Sequence, residues 1–334
     1  MTNSTSSDNA HNFRVAILDE TTFNPGDLDL EALVELAQDC QRYPNTSAEQ
    51  RLERLEGIDV AIANKVVFDR ELLAQCPQLK AILLTATGMD NIDLEACEEM
   101  GIATYNVTNY GTPSVAQHVL MLILALSTSL NDYQTMTRNG GWSKSEHFSS
   151  LQFPIRELAG KTIGLVGYGT LAKGVERIAR AFDMNVLIAA RAGADTVPDG
   201  RLLLDDLLPL VDVLSLHCPL TAETHKLINR EALEKMKSDA ILINTARGAV
   251  VDNEELAQAL RDGVIAGAGI DVLEQEPPPA DHPLLAADIP NLIVTPHVAW
   301  AAIEARQRVV NKTTQNLRDW LSKQEQPENE TVET

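Results

Sequence analysis

The chain has 334 residues, a formal net charge of −21 and 44% hydrophobic residues. That length accommodates two domains with a core that needs no cross-links. The acidic balance argues against nucleic-acid or anionic-membrane partners, which demand a basic face.

The four cysteines, Cys40, Cys76, Cys97 and Cys218, are widely spaced, so neither a metal site nor a disulfide framework is expected. The first twelve residues are polar, and the longest apolar run, 119–126, is far short of the roughly 18 residues that span a bilayer. A cytoplasmic protein is the expectation. Residues 1–12 and 323–334 are polar and patternless and read as flexible tails.

In between, short β-branched apolar runs alternate with helical patterns, the signature of parallel α/β layers. The first half offers four runs, at 15–18, 60–63, 81–84 and 102–105, with helical stretches such as 28–37 and 93–99. A helix follows, with Thr112 as its cap and Pro113 in its first turn. From 115 to 126 it is apolar nearly all round, so it must be covered on every side, by a second domain or a second subunit. Residues 131–158, rich in Asn, Gly and Ser around Trp142, are too long for a simple connection and read as an arm or lid.

The second half carries six runs, at 162–166, 186–190, 213–216, 240–243, 265–270 and 292–294, the strand count of a complete dinucleotide-binding sheet. A last helical pattern, 301–321, is available to rejoin the first half. The first of these strands ends in V-G-Y-G-T-L-A, in which Gly167, Gly169 and Ala172 match G-x-G-x-x-G/A. Gly167 permits a tight turn and Gly169 a close backbone approach, while Thr170 and Leu171 begin a helix whose free N–H groups face a pyrophosphate. An acid usually closes strand two and meets the adenosine ribose, but here Ala190 and Arg191 occupy that corner. Arg191 suits a 2′-phosphate, so NADP use at least equal to NAD use is expected; stacking of the guanidinium on adenine is the alternative.

Ligands of open α/β sheets lie beyond the carboxyl ends of the strands. Strand four runs into Arg247, strand five into Glu274 and Glu276, and strand six into His297. In the order 3-2-1-4-5-6 these strands are neighbours, which gathers a cation, a carboxylate and an imidazole at one end of the sheet. An imidazolium beside a carboxylate can give a proton to a carbonyl oxygen, and a guanidinium can hold a planar carboxylate.

Seven motifs in order resemble the D-isomer-specific 2-hydroxyacid dehydrogenases: A-T-G-M-D-N-I-D (86–93), G-T-P-S-V-A-Q (111–117), G-L-V-G-Y-G-T-L-A (164–172), L-H-C-P-L-T (216–221), I-N-T-A-R-G-A-V-V-D (243–252), G-I-D-V-L-E-Q-E-P (269–277) and T-P-H-V-A-W (295–300). The glycerate dehydrogenase and hydroxypyruvate reductase branch is nearest in pattern, with Trp300 contributing. The resemblance implies two Rossmann-like doubly wound domains. One is a discontinuous substrate domain (13–109 with 300–322). The other is a NAD(P)-binding domain (110–299) bearing a dimerisation helix and arm. It implies hydride transfer between the cofactor and a small D-2-hydroxy or 2-keto acid (glycerate and hydroxypyruvate, or glyoxylate), with no metal, in a homodimer. His297 becomes the acid/base, Glu276 its partner and Arg247 the substrate clamp, with Thr87, Gly88 and Met89 giving backbone N–H groups to the same carboxylate. Cys218, Pro219, Thr245, Ala246, Asp271 and Ala299 become cofactor contacts. Alternatives on the same fold are a dinucleotide-sensing corepressor and a 3-phosphoglycerate or formate dehydrogenase. A phosphoglycerate enzyme should place basic residues near the substrate turn, where only Lys65 and Lys80 are at hand.

Overall fold

The computed structural model describes residues 11–194 and 196–324. The chain forms two compact units, one of the segments up to Tyr110 and from Ala301 onward, the other Gly111–Trp300. Tyr110 and Trp300 each lie one position across the boundary from where the sequence reading puts them.

The first unit holds a parallel sheet of β1 (His11–Ile17), β2 (Ala37–Arg42), β3 (Val60–Ala63), β4 (Ala81–Leu84) and β5 (Ala103–Tyr105), in the order β2-β1-β3-β4-β5. The inner strands β3 and β4 are buried at every position, which is why they read as continuous apolar runs. Strand β2 escaped the sequence reading because it is an edge strand of composition A-Q-D-C-Q-R with no buried position. The helix expected over 28–37 shrinks to one turn, α1 (Glu31–Val34), since the chain must already be extended at Ala37. Helices α2 (Arg51–Leu55), α3 (Arg70–Ala74) and α4 (Leu94–Glu99) follow, the last two capped by Asp69 and Asp93. The C-terminal helix, Ile303–Gln324, returns to this unit. Its Arg306 meets the Asp27 carboxylate at 2.6 and 2.7 Å, and the ring of Trp320 packs edge-on to Phe13. Of the segments read as tails, His11 and Asn12 belong to β1, and Lys323 and Gln324 to this helix. Residues 1–10 and 325–334 lie outside the described residues.

The second unit begins with α5 (Thr112–Ser127) and α6 (Leu130–Arg138). The expected cap is corrected: Gly111 is the cap and Thr112 is already helical, with its hydroxyl enclosed and without a hydrogen-bond partner among the described residues. Residues 131–158 are not one open arm either, since α6 fills their first part. Tyr133 then packs edge-on against Phe153 and donates to its carbonyl oxygen.

Six parallel strands follow: β6 (Thr162–Val166), β7 (Asn185–Ile188), β8 (Val213–Leu216), β9 (Ile241–Asn244), β10 (Gly267–Ile270) and β11 (Leu292–Val294). Helices α7 (Thr170–Ala181), α8 (Leu204–Leu207), α9 (Arg230–Lys235) and α10 (Asn253–Arg261) connect them. The observed order is β11-β10-β9-β8-β6-β7. The expected 3-2-1-4-5-6 order is therefore corrected: β8 pairs with β6 on the side away from β7, which leaves β7 at the edge. The three strands that lead to Arg247, Glu276 and His297 are neighbours in either order. Separate apolar cores cover the two faces of this sheet, and α5 supplies Val115, Val119, Leu122 and Ile123 to one of them.

Candidate active site

In register, Asn244, Ile270 and Val294 lie side by side at the carboxyl ends of β9, β10 and β11. The three chains that leave this point carry Arg247, Glu276 and His297. His297 Nδ1 lies 2.6 Å from Glu276 Oε2, and the other Glu276 oxygen accepts the Leu273 N–H at 3.0 Å. One carboxylate thus both orients the ring and ties down its own loop, and Nε2 is left as the nitrogen that faces chemistry. Glu274, the other acid considered, is exposed and makes no such contact.

Arg247 is exposed and forms no ion pair among the described residues. Its backbone is held by Asn244, which is fully buried. The Asn244 amide donates to the Arg247 carbonyl oxygen, and its side-chain oxygen accepts the Ala246 N–H. The next residue is Gly248, where an added Cβ would stand 1.9 Å from the Leu273 carbonyl carbon. Only glycine lets the Arg247 turn touch the backbone of the loop that carries Glu276.

The glycine loop fits a dinucleotide. Gly167 has φ +85°, and a Cβ there would strike the backbone of Cys218 at 2.6 Å. Around Gly169 a Cβ would meet nothing within 4 Å, so the backbone stands open to a ligand. No side chain caps α7, so the N–H groups of its first turn, including Thr170 and Leu171, are free to meet phosphate oxygens. The Thr245 hydroxyl is enclosed with no hydrogen-bond partner among the described residues. Cys218 is buried, and burial pushes its thiol up, which suits a wall and not a nucleophile; Pro219 is exposed beside it.

Two expected cofactor contacts are turned inward instead. Asp271 is 1% exposed, and its carboxylate accepts the Thr295 hydroxyl and the N–H groups of Val298 and Ala299. Ala299 is buried, and its carbonyl oxygen accepts the Ser114 hydroxyl. Their first task in this fold is to shape the loop that holds His297.

At the adenosine corner Arg191 and Arg201 flank the end of β7, because Leu202 bridges Ala189 there. The guanidinium of Arg201 lies 5.7 Å from the centre of the Tyr168 ring. A carboxylate is also present, contributed by the loop after β8 and not by strand two. Glu223 is held below the usual carboxylate range by the Thr221 hydroxyl first and by Arg191 in addition.

In the first unit, the N–H groups of Thr87, Gly88 and Met89 reach no acceptor among the described residues. The turn itself is fixed, since the Thr87 hydroxyl donates to the Val107 carbonyl and Asn106 donates to the Thr87 carbonyl, both at 2.7 Å. Beside it, buried Asp19 accepts the N–H groups of Asn64, Lys65 and Val66 and shapes the end of β3. Asp19 was missed in the sequence because a single acid after a strand carries no pattern. Lys80 precedes β4 and pairs with Asp59, so of the two lysines only Lys65 stands at the ligand end of this sheet. In the second unit a cavity of about 150 Å³ opens at the opposite end of the sheet, against Arg156, Lys161, Asp212 and Asp239, and holds none of the site residues. No single helix among the described residues is long and apolar enough to cross a membrane.

Residues 120–299 match the family described as "D-isomer specific 2-hydroxyacid dehydrogenase, NAD binding domain". The chain belongs to this family. It is 43% identical to the glycerate dehydrogenase of Methylorubrum extorquens over 284 residues, which cover 84% of this chain and 89% of that one. Among solved structures it is similar to the TT0316 protein of Thermus thermophilus (TM-score 0.81, 37% identity, 95% and 99% of the two chains covered). It is also similar to an NADPH-dependent glyoxylate/hydroxypyruvate reductase of Sinorhizobium meliloti in complex with NADP and malonate (TM-score 0.74, 26% identity, 93% and 94% covered). The protein is thus an oxidoreductase of the D-2-hydroxyacid dehydrogenase class, and its second unit is the one that binds the dinucleotide.

Proposed function

We propose that this dehydrogenase reduces hydroxypyruvate to D-glycerate, and glyoxylate to glycolate, and runs the first reaction in reverse. The observation that carries the proposal is the 2.6 Å pair of His297 and Glu276 beyond the carboxyl ends of β10 and β11, with Arg247, which forms no ion pair among the described residues, in the turn after the adjacent β9. The relatives named for glycerate and for glyoxylate or hydroxypyruvate support the substrate class.

A nicotinamide dinucleotide, when held at the glycine loop by Gly167, Gly169 and the first turn of α7, would supply the hydride for the carbonyl carbon. Arg247 holds the planar 2-keto carboxylate and polarises the adjacent carbonyl. In the first unit, the N–H groups of Thr87, Gly88 and Met89, which reach no acceptor among the described residues, suit an anionic group. As negative charge develops on the carbonyl oxygen, His297 gives it the Nε2 proton, and Glu276 offsets the positive charge of the ring until then. In oxidation His297 takes the hydroxyl proton back. Lys65 is a single cation, too little for a phosphate ester, which disfavours 3-phosphoglycerate.

NADPH should serve at least as well as NADH. Ala190 cannot accept a bond from a ribose hydroxyl, whereas Arg191 and Arg201 can pair with a 2′-phosphate. A homodimer is the assembly supported by exposed apolar side chains on the arm, with Phe148 93% and Leu151 89% exposed, and by the exposed Met121 of α5.

The test is oxidation of NADPH and NADH with hydroxypyruvate, glyoxylate, pyruvate and 3-phosphohydroxypyruvate. Hydroxypyruvate and glyoxylate should show the highest kcat/KM. A phosphorylated substrate that outperforms both overturns the substrate assignment, and no turnover with any of the four favours a dinucleotide-sensing role.

A further inference from the structure

Helix α5 is apolar nearly all round, yet Ser114 and His118 interrupt it four residues apart, on one face. Ser114 Oγ donates to the Ala299 carbonyl oxygen at 2.6 Å. His118 Nε2 lies 3.0 Å from Thr295 Oγ1 and 3.5 Å from Asp271 Oδ1. The direction of these bonds follows from counting protons. Thr295 spends its hydroxyl proton on Asp271, at 2.5 Å, so it accepts from His118. That places the imidazole proton on Nε2. The ring is largely buried, and burial favours its neutral form against the pull of the Asp271 charge.

Beyond Thr295 the network reaches the catalytic loop. The Asp271 carboxylate accepts the N–H groups of Val298 and Ala299, and its carbonyl oxygen accepts the N–H of His297 at 2.8 Å. His297 has φ +54°, a left-handed conformation that a residue with a Cβ adopts only when its surroundings impose it. Asp271 grips three successive N–H groups, from His297 to Ala299, and α5 holds the same segment through Thr295 and the Ala299 carbonyl oxygen.

We infer that Ser114 and His118 are positioning residues, the two side chains through which α5 sets the loop that aims His297. The effect on turnover rests on the proposed role of His297; the effect on the geometry of the loop does not. Removing the imidazole leaves the Thr295 oxygen without its donor, and the loop can then relax away from the left-handed conformation. Glutamine at 118 offers an amide N–H on a side chain of similar reach, so it should restore the bond.

The experiment uses the full chain labelled with ¹⁵N-histidine. In the parent, long-range ¹H–¹⁵N spectra should show His118 as the Nε2–H tautomer and His297 as one sharp set of signals. His118→Leu should broaden or split the His297 set, and His118→Gln should return it to one set. Turnover should fall about tenfold in His118→Leu, with KM and the dinucleotide Kd changed by no more than about twofold. It should recover to within about threefold of the parent in His118→Gln. If His118→Leu does not fold, Ser114→Ala makes the same test with a smaller loss, of about threefold. Unchanged His297 signals in a folded His118→Leu or Ser114→Ala protein would overturn the inference, as would equal impairment of the Leu and Gln variants. If the parent turns over none of the substrates while the His297 signals still respond, the proposed function fails and this inference stands.

Discussion

Replacing Gly248 by alanine should disable catalysis while leaving the glycine loop in place. The new methyl would lie 1.9 Å from the Leu273 carbonyl carbon, 2.2 Å from its oxygen and 2.3 Å from the Glu274 nitrogen. Ordinary contact begins near 3.4 Å, so backbone on one side or the other must move by about 1.5 Å. The moving parts are the Arg247 turn and the segment that leads to Glu276, whose carboxylate is tied to the Leu273 N–H. A misplacement of about 1 Å can cost on the order of 10²-fold, so kcat/KM should fall by about that factor or more. Overpacking of this kind costs about 1–3 kcal/mol, which a fall in Tm should register. The glycine loop lies on β6 and α7, while Thr245 and Ala246 share the displaced turn, so NADPH affinity, read by fluorescence titration, should fall by much less than kcat/KM. Steady-state kinetics of Gly248→Ala and Glu276→Gln side by side make the comparison. A kcat/KM within about threefold of the parent in Gly248→Ala would show that turnover does not depend on the spacing of Arg247 and Glu276.

Arg191→Ala should lower the NADPH to NADH ratio of kcat/KM, and Glu223→Gln should raise it, because Glu223 offsets part of the Arg191 charge; a ratio unmoved by both substitutions removes this corner from cofactor choice. Sedimentation at micromolar concentration should show a dimer that Phe148→Ser with Leu151→Ser weakens, and a monomeric parent would contradict the proposed assembly. Acid should erode stability through His217. Burial holds this imidazole down to about 4, so between pH 6.5 and 4 the unfolded chain binds a proton that the folded one refuses, and stability falls as pH falls. At pH 4.5 the loss from this group is about 2–3 kcal/mol relative to pH 7. Urea unfolding of His217→Asn should therefore depend less on pH over that interval, and an equal dependence would mean that the ring is not kept neutral by the fold.

The parts of the fold legible in the sequence were those whose residues share one environment. Strands β3, β4 and β8 are buried at every position, and a buried strand announces itself as an unbroken apolar run. Strand β2 is an edge strand with polar side chains, so periodicity had nothing to register. Strand order was legible only in part, because a run of apolar residues does not say on which side of β6 the next strand pairs. At the site, Arg247, Glu276 and His297 could be picked out because each closely follows a strand, and the parallel topology brings such positions to one end of the sheet. Residues that act across long separations were not legible. Ser114 meets Ala299 across 185 positions, His118 meets Thr295 across 177, and Asp19 meets Asn64 across 45. Nothing local marks such residues, since each is a lone polar group whose meaning depends on what the fold sets opposite it. Asp271 shows the converse: its motif is plain in the sequence, yet only the structure reveals that its carboxylate is spent on Thr295, Val298 and Ala299.

The central claim is that His297 delivers the proton in reduction of a small 2-keto acid. It is tested most directly by comparing His297→Asn with the parent in single-turnover reduction of hydroxypyruvate, following loss of NADPH absorbance and formation of D-glycerate together. The parent should form one D-glycerate for each NADPH consumed, and the variant should bind NADPH with nearly unchanged affinity while turning over roughly 10²-fold or more slowly. Turnover within a few-fold of the parent, or a loss accounted for by weaker NADPH binding, would contradict it.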